Sequence, residues 1–139
     1  MRILAIDPGE KNIGLAISDP TGTIANPLTV LKHVSRVKDA SAIVQIAIQH
    51  DVGLIVVGQS VDVEGSPTVQ SRRAARLYGV IKSQTTIPVI LWDESGSTQA
   101  ARAARLAMGA IRRKRGGHLD DLAATYTLQD YLNYHAEKG

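Results

Sequence analysis

The chain contains no cysteine and no phenylalanine, and only 4% of its 139 residues are aromatic. Without cysteine, disulfide bonds and thiolate metal sites are excluded. No apolar run approaches the ~20 residues of a membrane-spanning helix, and the N-terminus lacks the basic and small-residue segments of a signal peptide. Hydrophobic residues make up 44% of the chain, which is enough for a mainly aliphatic core. We therefore expect one cytoplasmic domain, residues 1–139, that does not associate with membranes.

An almost wholly apolar run, typical of a buried strand, and the alternating apolar residues after it predict three consecutive strands in the first part of the chain. These strands cover residues 2–7, 12–18 and 23–31, and short turns join them into an antiparallel meander. Pro27 interrupts the third pattern. Because proline cannot donate a ladder hydrogen bond, this strand is predicted to form an edge of the sheet.

The rest of the chain alternates helical periodicity with short, fully apolar runs, which is typical of parallel crossover connections. Helices are predicted over 35–50, from the N-cap Ser66 with Pro67 at the first helical position, from Ser97, and over 119–135, with strands over 54–57 and 89–92. The predicted fold class is α/β. Its mixed five-stranded sheet has three antiparallel meander strands and two parallel crossover strands, flanked by about four helices.

Carboxylates stand at the ends of three predicted core elements. Asp7 ends the first strand, Asp93 and Glu94 follow the fifth, and Asp120 and Asp121 open the last helix. Sites in such sheets form beyond the carboxyl ends of strands, so we expect one metal-dependent site from these three segments. The sequence also leaves alternatives open, either a structural role for an acid or a neighbouring acid as the ligand. Asp7 can begin a turn, Asp93 can replace Glu94 as ligand, and Asp120 can be a helix N-cap, with Asp121 as the alternative ligand.

Positive charge is concentrated in the segment from Ser95 to His118, although the whole chain has a formal net charge of only +3. That segment contains no acidic residue, and its basic residues are Arg102, Arg105, Arg112, Arg113, Lys114 and Arg115. A basic segment on an otherwise slightly acidic body is typical of a polyanion-binding surface, although a solvated helix end has the same composition.

Four motifs, in order along nearly the whole chain, resemble a known family. They are the run from Asp7 to Ala16, the run from Ile55 to Gly58 together with Gly65, the residues Asp93-Glu94 with Ser97-Thr98, and Asp120 with Ala123-Ala124, Leu128-Gln129 and Tyr131-Leu132. Together they resemble the YqgF family, also called RuvX. Its members are bacterial ribonuclease-H-like proteins linked to Holliday junction resolution or to pre-16S rRNA processing.

The resemblance implies a ribonuclease-H-like fold and metal-dependent hydrolysis of phosphodiester bonds with Mg²⁺ or Mn²⁺. Asp7 is then expected to bridge two ions, and Glu94 and Asp120 to complete one ion each. The expected substrate is structured nucleic acid, most of all the 5′ end of pre-16S rRNA in ribosome biogenesis, with a Holliday junction as the alternative. Lys11 and the basic run of Arg112, Arg113, Lys114 and Arg115 are expected to contact it. Monomer and homodimer both remain open.

The chain departs from the family pattern at two positions that usually carry arginine, where it has Asn12 and Ser95. Their loss leaves open a catalytically silent, nucleic-acid-binding assembly factor. Another alternative is an ATP-binding enzyme of the actin-like or sugar-kinase type, because the spacing of Asp7, Gly9 and Gly14 also fits a phosphate-binding hairpin. Enzymes of that type close two such domains over the nucleotide.

Overall fold

A computed structural model of the chain describes residues 1–59, 68–93 and 120–138. Five strands and three helices lie within these ranges. The strands are β1 (Arg2–Pro8), β2 (Asn12–Ser18), β3 (Ala25–Lys32), β4 (Val52–Gln59) and β5 (Val89–Asp93), and the helices are α1 (Arg36–Gln49), α2 (Val69–Gln84) and α3 (Asp120–Lys138). No helix in these ranges is long and apolar enough to cross a membrane.

The five strands form one mixed sheet in the order β3-β2-β1-β4-β5. The pairs β1–β2 and β2–β3 are antiparallel, whereas β4 pairs in parallel with both β1 and β5. The predicted meander and crossover strands are therefore confirmed. Because β1, β4 and β5 run parallel to one another, their carboxyl ends lie at the same end of the sheet. We call it the carboxyl edge.

Side chains of β1 alternate between two apolar layers. Leu4 and Ile6 belong to the core that packs against α1 and α2, whereas Ile3 and Ala5 belong to the core beneath α3. Helices cover both faces of the sheet, which explains why the strand is apolar in sequence rather than alternately polar. The next two residues, Asp7 and Pro8, continue this alternation at the carboxyl edge.

Several predicted boundaries need correction. The third strand begins at Ala25, because Asp19 organises the preceding residues into a turn. Pro27 does lie in an edge strand, beside a register shift in the β2–β3 pairing. The second helix begins at Val69 after Thr68, not at Pro67. The helix predicted from Ser97 falls outside the described residues.

The contacts at the start of α2 explain why the helix begins at Val69. Thr68 and Ser71 form a reciprocal capping box, in which each backbone N–H donates to the other residue's hydroxyl, at 2.7 and 3.0 Å. These two bonds satisfy N–H groups that the first helical turn leaves without a helical partner. The helix therefore begins where this reciprocal cap forms.

Candidate active site

Asp7 lies one residue before the end of β1 and is partly buried. Asp7 follows Ile3 and Ala5 at a spacing of two residues, so its side chain lies on the same face of the sheet, the face that α3 covers. Its antiparallel partner in β2 is Gly14. Asp7 is therefore an acidic group at the carboxyl edge, on the face that α3 covers.

The turn after Asp7 is fixed by its backbone. Gly9 donates its N–H to the carbonyl of Asn12 at 2.9 Å. A Cβ atom on Gly9 would collide with that same oxygen, so only glycine fits this turn. Lys11 is exposed here, and its carbonyl accepts the backbone N–H of His33 at 2.9 Å. The turn thus presents Lys11 to solvent at the carboxyl edge.

The ends of β4 and β5 lie side by side at this edge. Gly58 is paired with Trp92, and Gln59 with Asp93. The chain therefore reaches the carboxyl edge at the residue before Glu94, as the sequence predicted. Glu94 itself lies outside the described residues, and the structure describes only the backbone of Asp93.

The helix that carries Asp120 packs on the same face as Asp7. A Cβ atom on Gly58 would lie 2.8 Å from Cγ2 of Thr127, so α3 is close to the end of β4. Gln129, two residues later, bonds to the backbone of Thr23 and Ala25 at the other end of the sheet. Thr127 therefore brings α3 close to the carboxyl end of β4, and Gln129 ties the same helix to the start of β3.

Asp120 is the first residue of α3 and precedes Thr127 by about 10 Å along the helix axis. Only the backbones of Asp120 and Asp121 are described. The side chains of the described residues form no cluster of three or more His, Cys, Asp or Glu able to hold a metal ion. Two of the three expected ligands thus contribute no described side chain, and the ligand set remains a prediction.

Trp92 packs against the core beneath α3. Its ring lies 5.2 Å from Tyr131 in an edge-to-face arrangement and 5.2 Å from Tyr134. Burial raises the pKa of the Tyr131 hydroxyl above its ordinary value. This aromatic cluster fixes the C-terminal half of α3 against β5 rather than offering a free stacking surface.

Asp19 belongs to a turn at the opposite end of the sheet. Its carboxylate accepts the backbone N–H groups of Thr23 and Ile24, at 2.7 and 2.9 Å, and the hydroxyl of Thr21. These bonds favour the ionised form and hold the pKa of Asp19 far below its ordinary value. Asp19 therefore has a structural role in this turn.

The sequence analysis missed a polar pocket at the carboxyl edge, on the face of the sheet that α1 and α2 cover. Pro8 and Gly9 form one part of it, and His33, Arg36, Asp39 and Arg73 are its polar residues. We call it the arginine pocket.

Asp39 is the unusual member of this pocket, because only 4% of it is exposed. It accepts the backbone N–H of Val34 at 3.0 Å and contacts Nδ1 of His33 at 2.5 Å. A sequence signal was available, since Asp39 precedes Ile43 by four residues on the inward face of α1. A buried acid needs hydrogen-bond partners, which Val34 and His33 supply here.

Known proteins place the chain in a family. A family model described as "RuvX: Holliday junction resolvase" matches residues 1–134. A Thermoanaerobacter pseudethanolicus protein named "Putative pre-16S rRNA nuclease" is 40% identical, covering 99% of this chain and 100% of that protein. A relative of the same name from Clostridium acetobutylicum is 37% identical, covering 96% of this chain and 98% of its own length. The chain belongs to the RuvX family.

Solved structures confirm the ribonuclease-H-like fold. Thermus thermophilus RuvC in complex with a Holliday junction substrate has a TM-score of 0.63 at 16% identity, covering 100% of this chain and 96% of that chain. The fowlpox virus Holliday junction resolvase has a TM-score of 0.56 at 16% identity, covering 96% and 99%. At such low identity, these likenesses establish the fold alone.

Proposed function

We propose that this RuvX protein is a metal-dependent nuclease that hydrolyses phosphodiester bonds in structured nucleic acid. The observation that carries the proposal is the joint position of Asp7 and α3. Asp7 ends the central strand on the face covered by α3, and Thr127, seven residues after Asp120 in that helix, packs close to Gly58 at the end of the neighbouring strand. This packing supports one site that takes acidic side chains from both elements.

We assign Asp7, Glu94 and Asp120 as the metal ligands and catalytic acids. Ile90 and Trp92, which precede Glu94 by four and two residues, belong to the core beneath α3, and this even spacing supports Glu94. Carboxylate oxygens suit hard ions such as Mg²⁺ and Mn²⁺, and the absence of cysteine fits an all-oxygen site. A bound pair of such ions supplies an activated water and charge compensation at the scissile phosphate.

Substrate retention is assigned to basic residues around this edge. Lys11 is exposed in the turn directly after Asp7. The run of Arg112, Arg113, Lys114 and Arg115 precedes Asp120 in the chain, outside the described residues. Fixed cations near an acidic site offset the repulsion between its carboxylates and a polyanionic substrate.

We propose pre-16S rRNA, processed at its 5′ end in the cytoplasm during ribosome biogenesis, as the substrate. The support is the name shared by relatives at 36–40% identity over nearly their whole length. Branched DNA is the second candidate, supported by the description of the matching family model. Symmetric cleavage of a junction normally requires a two-fold dimer, so a monomer in solution would favour RNA.

The proposal is tested by incubating the protein with precursor 16S rRNA and with four-way DNA junctions, with and without Mn²⁺. Asp7→Asn removes the central carboxylate, and Glu10→Gln is the matched control because Glu10 is an exposed acid in the adjoining turn. We expect Mn²⁺-dependent cleavage by the wild type and by Glu10→Gln, and none by Asp7→Asn. Binding without cleavage of either substrate would instead support the assembly-factor alternative.

A further inference from the structure

We infer that the arginine pocket binds a phosphate group of the nucleic-acid strand, at a subsite separate from the catalytic acids. The inference rests on the proposed function only in taking nucleic acid as the ligand. It requires substrate binding by the pocket but not cleavage by this chain. The pocket would hold a part of the strand that is not being cut.

The charges in the pocket favour an anion. Arg36 is exposed and Arg73 is partly buried, and within residues 1–59, 68–93 and 120–138 neither guanidinium takes part in a hydrogen bond or salt bridge. Asp39 is the only acid among the described lining residues, and Val34 and His33 already occupy its two oxygens. The two guanidinium groups therefore leave a net positive charge and unused donors.

The helices that carry the arginines add to this preference. Arg36 is the first residue of α1, capped by Ser35, and Arg73 lies in the second turn of α2, capped by Thr68. Both helices begin at the carboxyl edge because each leads back to the start of a parallel strand. Partial positive charge at helix N-termini favours nearby anions, although here it only supplements the arginines.

The chemistry of the lining fits phosphate better than a base or a cation. Two guanidinium groups provide planar sets of N–H donors that match phosphate oxygens. The described lining contains no Trp or Tyr on which a base could stack, and its one aromatic ring, that of His33, is held by Asp39. A cation would need free acceptors, whereas the oxygens of Asp39 are already bonded.

The pocket lies directly across the carboxyl edge from Asp7. Pro8 lines the pocket and follows Asp7 in β1, so their side chains alternate to opposite faces of the sheet. Their Cα atoms are separated by a single peptide unit, about 3.8 Å. A strand held by the arginine pocket on one side can therefore cross the edge and reach the acidic site on the other.

Fluorescence anisotropy with labelled precursor rRNA fragments tests this subsite. All variants are made in the Asp7→Asn background, so that the RNA stays intact. The test variants are Arg36→Gln, Arg73→Gln and their combination. Arg72→Gln is the matched control, because Arg72 is an exposed arginine of the same helix that does not line the pocket. Thermal melts establish that each variant is folded.

We expect each test substitution to weaken RNA binding roughly tenfold and to reduce the salt slope by about one unit, since the variant neutralises one phosphate fewer. Because both arginines would hold the same phosphate, the double variant should lose little more affinity than either single variant. Arg72→Gln should retain near wild-type affinity.

Three results would overturn the inference. They are unchanged affinity in the double variant, an equal loss of affinity in Arg72→Gln, or absence of any RNA binding by the wild type. Failure of the proposed function has a different signature. In that case the wild type binds RNA but does not cut it, and the effect of the pocket substitutions on affinity still decides the subsite.

Discussion

Gly58 and Thr127 approach so closely that a Cβ atom on Gly58 would lie 2.8 Å from Cγ2 of Thr127. The glycine is in β4 at the carboxyl edge, and the threonine is a buried residue of α3. This contact sets how closely the helix that begins with Asp120 approaches the strand beside β1. It therefore connects a glycine without chemical function to the position of a predicted catalytic acid.

Gly58→Ala is expected to destabilise the protein by about 1–3 kcal/mol, because the added methyl group overpacks a buried contact. Cleavage should fall further than stability accounts for, by up to about a hundredfold, since α3 must shift.

Gly79→Ala is the control. Nothing lies within 4 Å of a Cβ on Gly79, in the exposed part of α2, so alanine should stabilise by about 0.5–1 kcal/mol. Denaturant unfolding and single-turnover cleavage measure both effects, and equal behaviour of the two variants would contradict the packing argument.

The strands and their order along the chain could be predicted because local features of the sequence, such as apolar runs and prolines, indicate them. The apolar run before Asp7 indicated a strand buried on both faces, and Pro27 indicated an edge. The predicted start of α2 was wrong because Ser66, like Thr68, is a good N-cap residue. Only the reciprocal bonds between Thr68 and Ser71 distinguish the two positions.

The arginine pocket was beyond sequence reasoning for a different reason. Its residues come from the β1–β2 turn, the start of α1 and the second turn of α2, and only tertiary packing brings them together. In the sequence, Asp39 looks like an ordinary acid in the first turn of a helix, and only the structure shows its contact with His33. Helical periodicity alone does not encode this contact, although the two residues are only six positions apart.

Mn²⁺ is expected to raise the melting temperature of the wild type, because a ligand that binds only the folded state stabilises it. The gain is about 2.7 kcal/mol when the free ion is at 100 times its Kd. Asp7→Asn should lose most of this shift, yet without metal it should be at least as stable as the wild type, since in the proposed site it removes one of several like charges held close together. Glu10→Gln should keep the shift. An equal Mn²⁺ shift in Asp7→Asn would remove Asp7 from the ligand set.

Asp19→Asn is expected to lower the melting temperature near neutral pH but not in acid. The folded state depresses the pKa of Asp19, so its stabilisation is complete above the unfolded-state value of about 3.9 and is lost as the pH falls below it. Asparagine can still accept from the backbone of Thr23 and Ile24, which isolates the effect of charge. The melting temperatures of the two proteins should therefore begin to converge below about pH 4 and become equal only in strongly acidic solution, because the folded-state pKa of Asp19 lies far lower. A difference that stays constant with pH would contradict this origin.

Replacing Arg112, Arg113 and Arg115 with alanine should weaken binding to all nucleic-acid sequences alike. Contacts to phosphate release counterions, so the salt slope should flatten by up to about one unit for each phosphate that is no longer neutralised. Anisotropy with a labelled RNA and with a four-way junction measures both quantities, and circular dichroism checks the fold. Because these arginines carry no information about the base, a loss of affinity confined to one sequence would argue against phosphate contacts. Unchanged affinity with an intact fold would leave the segment as an ordinary solvated one, and substrate retention would then depend on Lys11 and the arginine pocket.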